Sequence, residues 1–219
     1  MGAITSLEVQ KRNKARVNVY VDGEYAFSLS VMEAAKLHKG QDLSGTEIAS
    51  LNTEDAILRA LDSAARFLAH RPRSIVEVRR NLAQKDIPQA VIEAAVERLS
   101  TMGYLDDHAF ARYWVENRTT FKPLGPAALR YELRQKGVAN EVIDETLSDL
   151  LDPEEAAYRA ASKEAHRLRC ADQRQFRDKL GNWLHRRGFA RSTIHSVTDR
   201  VIEELITENP DYFSPEEEE

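Results

Sequence analysis

At 219 residues, 42% of them hydrophobic, the chain is long enough to bury a real core, as one or two domains or as an array of repeats. Its apolar runs are far too short to span a bilayer, and its single cysteine, Cys170, excludes an intramolecular disulfide and fits a reducing compartment. Charged residues make up 31% and the net charge is −5, but residues 203–219 hold eight acids and no base, so removing those eight negative charges leaves a body of about +3.

The chain opens with alternating apolar residues at Leu7 and Val9, then at Val17, Val19 and Val21. Asp22-Gly23 comes directly after, and Tyr25 to Leu29 reads as a second β-rich run. Two such runs around Asp-Gly predict a hairpin. The basic cluster from Lys11 to Arg16 joins the first strand to the second. Val31 to His38 reads as a short helix stopped at Gly40. Residues 1–50 are therefore expected to form a small β-containing extension packed on a helical array, because an isolated hairpin is rarely stable. No basic-then-apolar leader opens the chain, so a cytoplasmic localisation is expected.

From about residue 53 everything reads as helix. Leu82, Leu133 and Leu184 are spaced at equal intervals of 51 residues, and their surroundings repeat with them. Four residues before each leucine lies Val78, Leu129 or Leu180, and five after lies Ile87, Val138 or Phe189. Self-similarity at a long fixed period signals tandem units that bury their apolar faces against one another. Helix signals divide each unit into three. Ser74-Ile75-Val76-Glu77 has the spacing of a capping box. Pro88 suits a first helical turn, and Asp152-Pro153-Glu154-Glu155 is a further start. The expected helices are 54–69, 74–84 and 89–101, then 107–120, 125–136 and 140–150, then 153–169, 173–187 and 192–206.

The predicted fold class is mainly α: three tandem three-helix repeats forming an elongated, curved array, with a β-hairpin-containing N-terminal extension. The expected segments are 1–50 for the extension, 53–103, 104–151 and 152–206 for the repeats, and 207–219 for a frayed acidic tail. The tail reads mainly as a solubility device; mimicry of nucleic-acid charge is the sharper alternative.

Between the first two units lies Gly103-Tyr104-Leu105-Asp106-Asp107, with Phe110 and Ala111 just beyond. Gly103 can end one helix in a left-handed conformation, Tyr104 and Leu105 can bury at the turn, and Asp106 or Asp107 can cap the next helix. Adjacent aspartates before a helix are what a cap needs, so a catalytic carboxylate pair is a poor reading. Together with Ser74, Glu77, Leu82, Gly125, Leu133, Gly137, Leu184 and Gly188, this arrangement resembles the bacterial RecX family, regulators of the RecA recombinase. The resemblance covers roughly residues 5–205. Asp86-Ile87-Pro88 departs from it where Lys-Gly is more typical, as does the acidic tail. The resemblance implies a non-enzymatic protein that binds RecA nucleoprotein filaments and modulates, usually inhibits, their ATPase and strand-exchange activities. It also implies DNA repair and recombination as the setting.

Charge gives a separate hint. The middle helix of each unit is basic, with Arg79 and Arg80, then Arg130, Arg134 and Lys136, then Arg174, Arg177, Lys179, Arg186 and Arg187. The third helices of the first two units are acidic. A ladder of alternating charge suits a polymer that offers both phosphate and protein surface. The plainer reading of any one arginine is a solvated helix face. Trp114 and Trp183 read as core residues in preference to base-stacking platforms. Base reading in the major groove is disfavoured for the first two units, whose acidic third helices phosphate would repel, and is less clearly excluded for the third unit's last helix, with Ser192, Thr193, His195 and Arg200.

The other function class is a non-specific DNA-binding helical module that acts without a recombinase. Catalytic chemistry has little support, since the chain has no Gly-rich phosphate loop and no nucleophile elbow. His166 and Cys170 lie four apart, but a tetrahedral metal site needs more ligands. No catalytic residue, metal or cofactor is expected. A monomer with a recombinase-filament partner, weak non-specific DNA contact and no membrane association is.

Overall fold

In a computed structural model of the protein, residues 2–168 and 172–213 are described, and they form four strands and ten helices. The chain divides into two compact units. One comprises residues 1–73 and 78–105; the other comprises 74–77 and 106–219.

The first unit opens with an antiparallel sheet. Strands β1 (Gly2–Val9), β2 (Arg16–Val21) and β3 (Glu24–Ser30) precede α1 (Val31–Ala34) and β4 (Asp42–Leu43), and the sheet order is β3-β2-β1-β4. Asp22 and Gly23 take φ of 52° and 90°, the double left-handed geometry that Asp-Gly favours in a two-residue hairpin turn. Alternation buries Val17, Val19, Phe27 and Leu29 on one face with Ile4 and Leu43. The predicted Val31–His38 helix closes after a single turn, its N-terminus held by the Ser30 hydroxyl accepting from the Glu33 amide.

Helix α2 (Gly45–Leu68) starts nine residues before the expected 54. Ser44 and Glu47 form a reciprocal capping box, a start signal of the same kind as Ser74–Glu77. Thr53 does not break the helix, because its hydroxyl donates to the Ala49 carbonyl one turn back. The long helix therefore serves two cores. Ile48 and Leu51 pack on the sheet, whereas Ile57 and Ala60 pack with Val91 and Ala95 of α4 (Gln89–Thr101). Between α2 and α4 the chain runs through α3 (Ile75–Ala83).

An internal ion pair fixes the sheet to α2. The Arg16 guanidinium spans both carboxylate oxygens of Asp55 at 2.9 Å, and its other nitrogen donates to the carbonyl and hydroxyl of Ser28 at 2.7 Å. Asp55 also accepts from the Ser30 amide at 3.0 Å. Asp55 is buried. Arg16 is thus an anchor, not a member of a solvated basic linker.

The second unit holds two three-helix repeats. One is α5 (Asp107–Phe121), α6 (Pro126–Gln135) and α7 (Asn140–Leu150), around Phe110, Ala111, Val115, Leu129, Leu133 and Ile143. The other is α8 (Pro153–Ala165), α9 (Gln173–Arg186) and α10 (Arg191–Glu208), around Ala157, Ala161, Phe176, Leu180, Leu184 and Val201. Leu151 packs on both cores. Leu82, Leu133 and Leu184 are each 0% exposed. Helix α8 ends at Ala165, short of the expected 169, and Arg169 and Cys170 lie outside the described residues.

The start of the expected tail is docked. Helix α10 runs to Glu208, and Tyr212 and Phe213 pack on the third repeat's core, with Phe213 5.3 Å from the Phe176 ring and 4.9 Å from Tyr212. Apolar rings outweigh the acidic composition here, because burying aromatic surface is worth more than one adjacent exposed Asp211 costs. Ser214 to Glu219, with the four terminal glutamates, lie outside the described residues.

Candidate partner-binding surface

The motif residues that repeat along the chain build a seam. In the second unit, Ser74 and Glu77 form the expected capping box: the Glu77 amide donates to the Ser74 hydroxyl at 3.1 Å and the Ser74 amide to the Glu77 carboxylate at 3.3 Å. The same hydroxyl donates to the Lys136 carbonyl at 2.6 Å, and the Lys136 ammonium reaches Glu77 at 2.8 Å. One 51-residue period further along, the Gly125 amide donates to the Arg187 carbonyl at 2.9 Å. Gly188 (φ +84°) comes next after that carbonyl, and a Cβ on Gly125 would overlap the Gly188 backbone. Gly125 is a glycine because the two backbones touch there.

The two aspartates divide their labour. Asp106 caps its own helix, accepting from the His108 amide at 2.8 Å. Asp107 accepts from the Ile75 amide at 3.0 Å, at the start of α3. Each satisfies donors that a helix N-terminus leaves open. Leu105 is buried as expected. Tyr104 is not; it is 69% exposed, because Gly103 (φ +75°) turns the chain so that only the next side chain points inward.

The candidate basic residues fall into three groups. Arg79 donates through Nε and a terminal nitrogen to Glu93 at 3.1 and 2.7 Å. Arg130 does the same to Asp144 at 3.1 and 2.6 Å, and Arg134 donates to Asn140 at 2.8 Å. In the first two repeats the basic middle helix and the acidic third helix therefore neutralise each other locally. Sequence alone could not show this, because both ion pairs span fourteen residues and two helices. Arg177 of α9 pairs with Asp199 of α10, and its hydrogen bond holds the Asp199 carboxyl below the usual carboxylate range.

A second group is built into the fold. The Arg187 guanidinium lies 3.9 Å above the Trp183 ring and donates to the Pro123 carbonyl at 3.1 Å. Burial pushes its pKa down, opposed by the nearby Glu164 charge. Lys136 lies 5.0 Å over the Trp114 ring, and Arg118 lies 4.6 Å over it while donating to Glu132 at 2.7 Å. The Trp114 indole also donates to Glu132, at 2.7 Å. Both tryptophans are half-buried and covered by cations, an environment for packing and not for stacking a base.

The third group is exposed. Arg80 and Lys179 face solvent, and Lys179 donates to Gln175 at 3.2 Å. Arg174 and Arg186 are exposed, and among the described residues their side chains have no hydrogen-bonding or ionic partner. Three residues outside the basic set of the middle helices also matter, His185, Arg191 and His195, the last of them already noted on the third unit's final helix. With Arg177, they line an open groove between α9 and α10. The signal that could have found them was the 51-residue register, since they occupy positions that are differently filled in the earlier repeats. No helix among the described residues is long and apolar enough to cross a membrane.

The chain is similar to known proteins along most of its length. Residues 2–44 match the family model described as the regulatory protein RecX N-terminal domain. Residues 60–99 match the RecX first three-helix domain, and 106–147 its second. A regulatory protein RecX of Lactobacillus delbrueckii subsp. bulgaricus is 36% identical over 208 residues, covering 93% of this chain and 76% of that protein. Its counterpart in Lactobacillus johnsonii is 34% identical over 205 residues, covering 92% and 75%. A crystal structure of regulatory protein RecX superposes with a TM-score of 0.72 at 28% identity, covering 91% of this chain and 100% of that one. With family models matched over residues 2–44, 60–99 and 106–147 and a relative 36% identical across 93% of it, the chain belongs to the RecX family of regulatory proteins.

Proposed function

We propose that this RecX-type regulator binds RecA recombinase filaments and inhibits their ATPase, assembly and strand exchange. The observation that carries the reading is relatedness at 36% identity across 93% of the chain to a protein named regulatory protein RecX. The action is occupation of a surface, not chemistry. A binder of this kind biases an assembly equilibrium by its differential affinity for two filament states. The contacts are drawn from the exposed basic side chains, above all Arg174 and Arg186, with Arg80 and Lys179 beside them. Arg79, Arg130 and Arg177 contribute less, because each is held by an acid across its own repeat. The protein acts as a cytoplasmic monomer, and the filament's DNA adds a weak, salt-sensitive contact.

The test is the DNA-dependent ATPase of the cognate recombinase, titrated with this protein. The expected outcome is a saturable fall in hydrolysis with co-sedimentation on the filament. Arg174→Glu with Arg186→Glu shifts the titration midpoint upward by about tenfold, on the scale of two lost charge-assisted contacts. Unchanged hydrolysis with no co-sedimentation would exclude the recombinase as the partner.

A further inference from the structure

The third repeat departs from the first two at one place, and the departure is concerted. Shifting Arg79 and Arg130 by the 51-residue period leads to Gly181; shifting Glu93 and Asp144 leads to His195. The cross-helix ion pair of repeats one and two is thus replaced by a residue with no side chain and an imidazole. The same shift carries Arg134 and Asn140, which bond each other in repeat two, to His185 and Arg191. It carries the apolar core residues Val96 and Leu147 to Thr198. Where two earlier repeats place an Arg–acid bridge at this register, the third has its bridge four residues away on each helix, between Arg177 and Asp199, and leaves a groove of about 330 Å³ between α9 and α10.

The groove's chemistry has one sign of charge in excess. Arg177, His185, Arg191 and His195 line it. One acid, Asp199, stands at its edge, engaged by Arg177 and by the His195 imidazole at 3.4 Å. Thr198 is 2% exposed, lines the groove, and its hydroxyl has no hydrogen-bond partner. A buried hydroxyl in an apolar position is costly unless something bonds it. Helix α10 begins at Arg191 without a side-chain cap, so its first amides and its dipole also favour an anion. A net positive charge, an unsatisfied hydroxyl donor and, about two turns along α10, a helix N-terminus all favour an acceptor-rich, negatively charged group.

We infer that the α9–α10 groove of the third repeat is a phosphate site, and that its ligand is a phosphodiester of a nucleic-acid strand. Free phosphate offers the same group. The groove is open, however, and Arg174, Arg177, Gly181 and His185 lie along one stripe of α9 for about 16 Å, longer than a single phosphate. Arg191 supplies the fixed charge, Thr198 a neutral donor, and Gly181 the room, while Arg177, held by Asp199, borders the site. Displacement of the Arg–acid bridge away from positions 181 and 195 is what opens the site.

The experiment is fluorescence anisotropy of a labelled oligothymidylate with the full-length chain, in the absence of any recombinase, so that its outcome is separate from the ATPase titration. Inorganic phosphate and pyrophosphate serve as competitors. Gly181→Arg with His195→Asp rebuilds the bridge of the other repeats, removes a glycine from mid-helix and changes the net charge by nothing. It is expected to fold as well as the parent and to weaken oligonucleotide binding by about tenfold. Arg191→Ala, at an exposed position, is expected to weaken it several-fold on its own, and Thr198→Val to weaken it without lowering the melting temperature. Equal binding by the parent and the bridge-rebuilt variant, or no binding by the parent, overturns the site. Full displacement by millimolar inorganic phosphate, with no greater affinity for the oligonucleotide, overturns the nucleic-acid assignment.

Discussion

Asp86 holds a φ of +57° at the position that Gly137 and Gly188 occupy in the later repeats, at +81° and +84°. A side chain in that region crowds the next carbonyl, and Asp tolerates it only in part. Asp86→Gly is therefore expected to raise stability by about 1 kcal/mol, read as a higher urea midpoint at unchanged slope. The opposite change should be harmful at the seam. Gly125→Ala forces a methyl into the Gly188 backbone and is expected to cost about 2–3 kcal/mol, with a measurable drop in melting temperature. The departure at residues 86–88 was visible in the sequence. Its cost was not, because only the folded chain reveals which backbone angle a residue must hold.

Contacts between elements set the stability of each unit. Asp55 joins β2, β3 and α2 through one carboxylate, and removing it leaves the Arg16 guanidinium half-buried without its acid. Asp55→Ala is expected to cost about 3 kcal/mol in chemical denaturation. At the other end, ending the chain at Asn209 removes the rings of Tyr212 and Phe213 from the third core, whereas ending it at Phe213 does not. The shorter truncation product is expected to lose about 2 kcal/mol relative to the longer one, by differential scanning calorimetry. The acid side of the stability curve has identifiable carboxylates. Arg98 holds the Glu54 carboxyl below its ordinary value of 4.5, and Arg177 does the same for Asp199 below 3.8. A depressed folded value means stability that is present above the unfolded value and lost as pH falls through the folded one. Both sites are more than a third exposed, so the effect is modest. Glu54→Gln should flatten the decline of melting temperature below about pH 4.5.

For the whole molecule, what could be read from residues alone was what depends on short spacing or on period. The hairpin turn at Asp22-Gly23, the Ser74–Glu77 cap and the three buried leucines are of this kind. What could not be read depended on which helices face each other. Nothing in the order of residues says that Arg79 meets Glu93, or that Asp107 serves the start of α3 and not only its own helix. The composition of the C-terminus pointed to a tail, and two aromatic residues set that aside for its first part. The basic character of α9 was legible; the groove beside it became so only once the earlier repeats supplied the pattern from which it departs.

The hydrogen bond from Ser74 to the Lys136 carbonyl and that from Gly125 to the Arg187 carbonyl use positions one period apart at both ends. A joint that recurs in this way makes the copy, and not the residue, the natural increment of chain length. Gene duplication can add or delete one three-helix block without asking either flank to find a new neighbour. Insertions of any other size would leave a carbonyl and a glycine with nothing to meet.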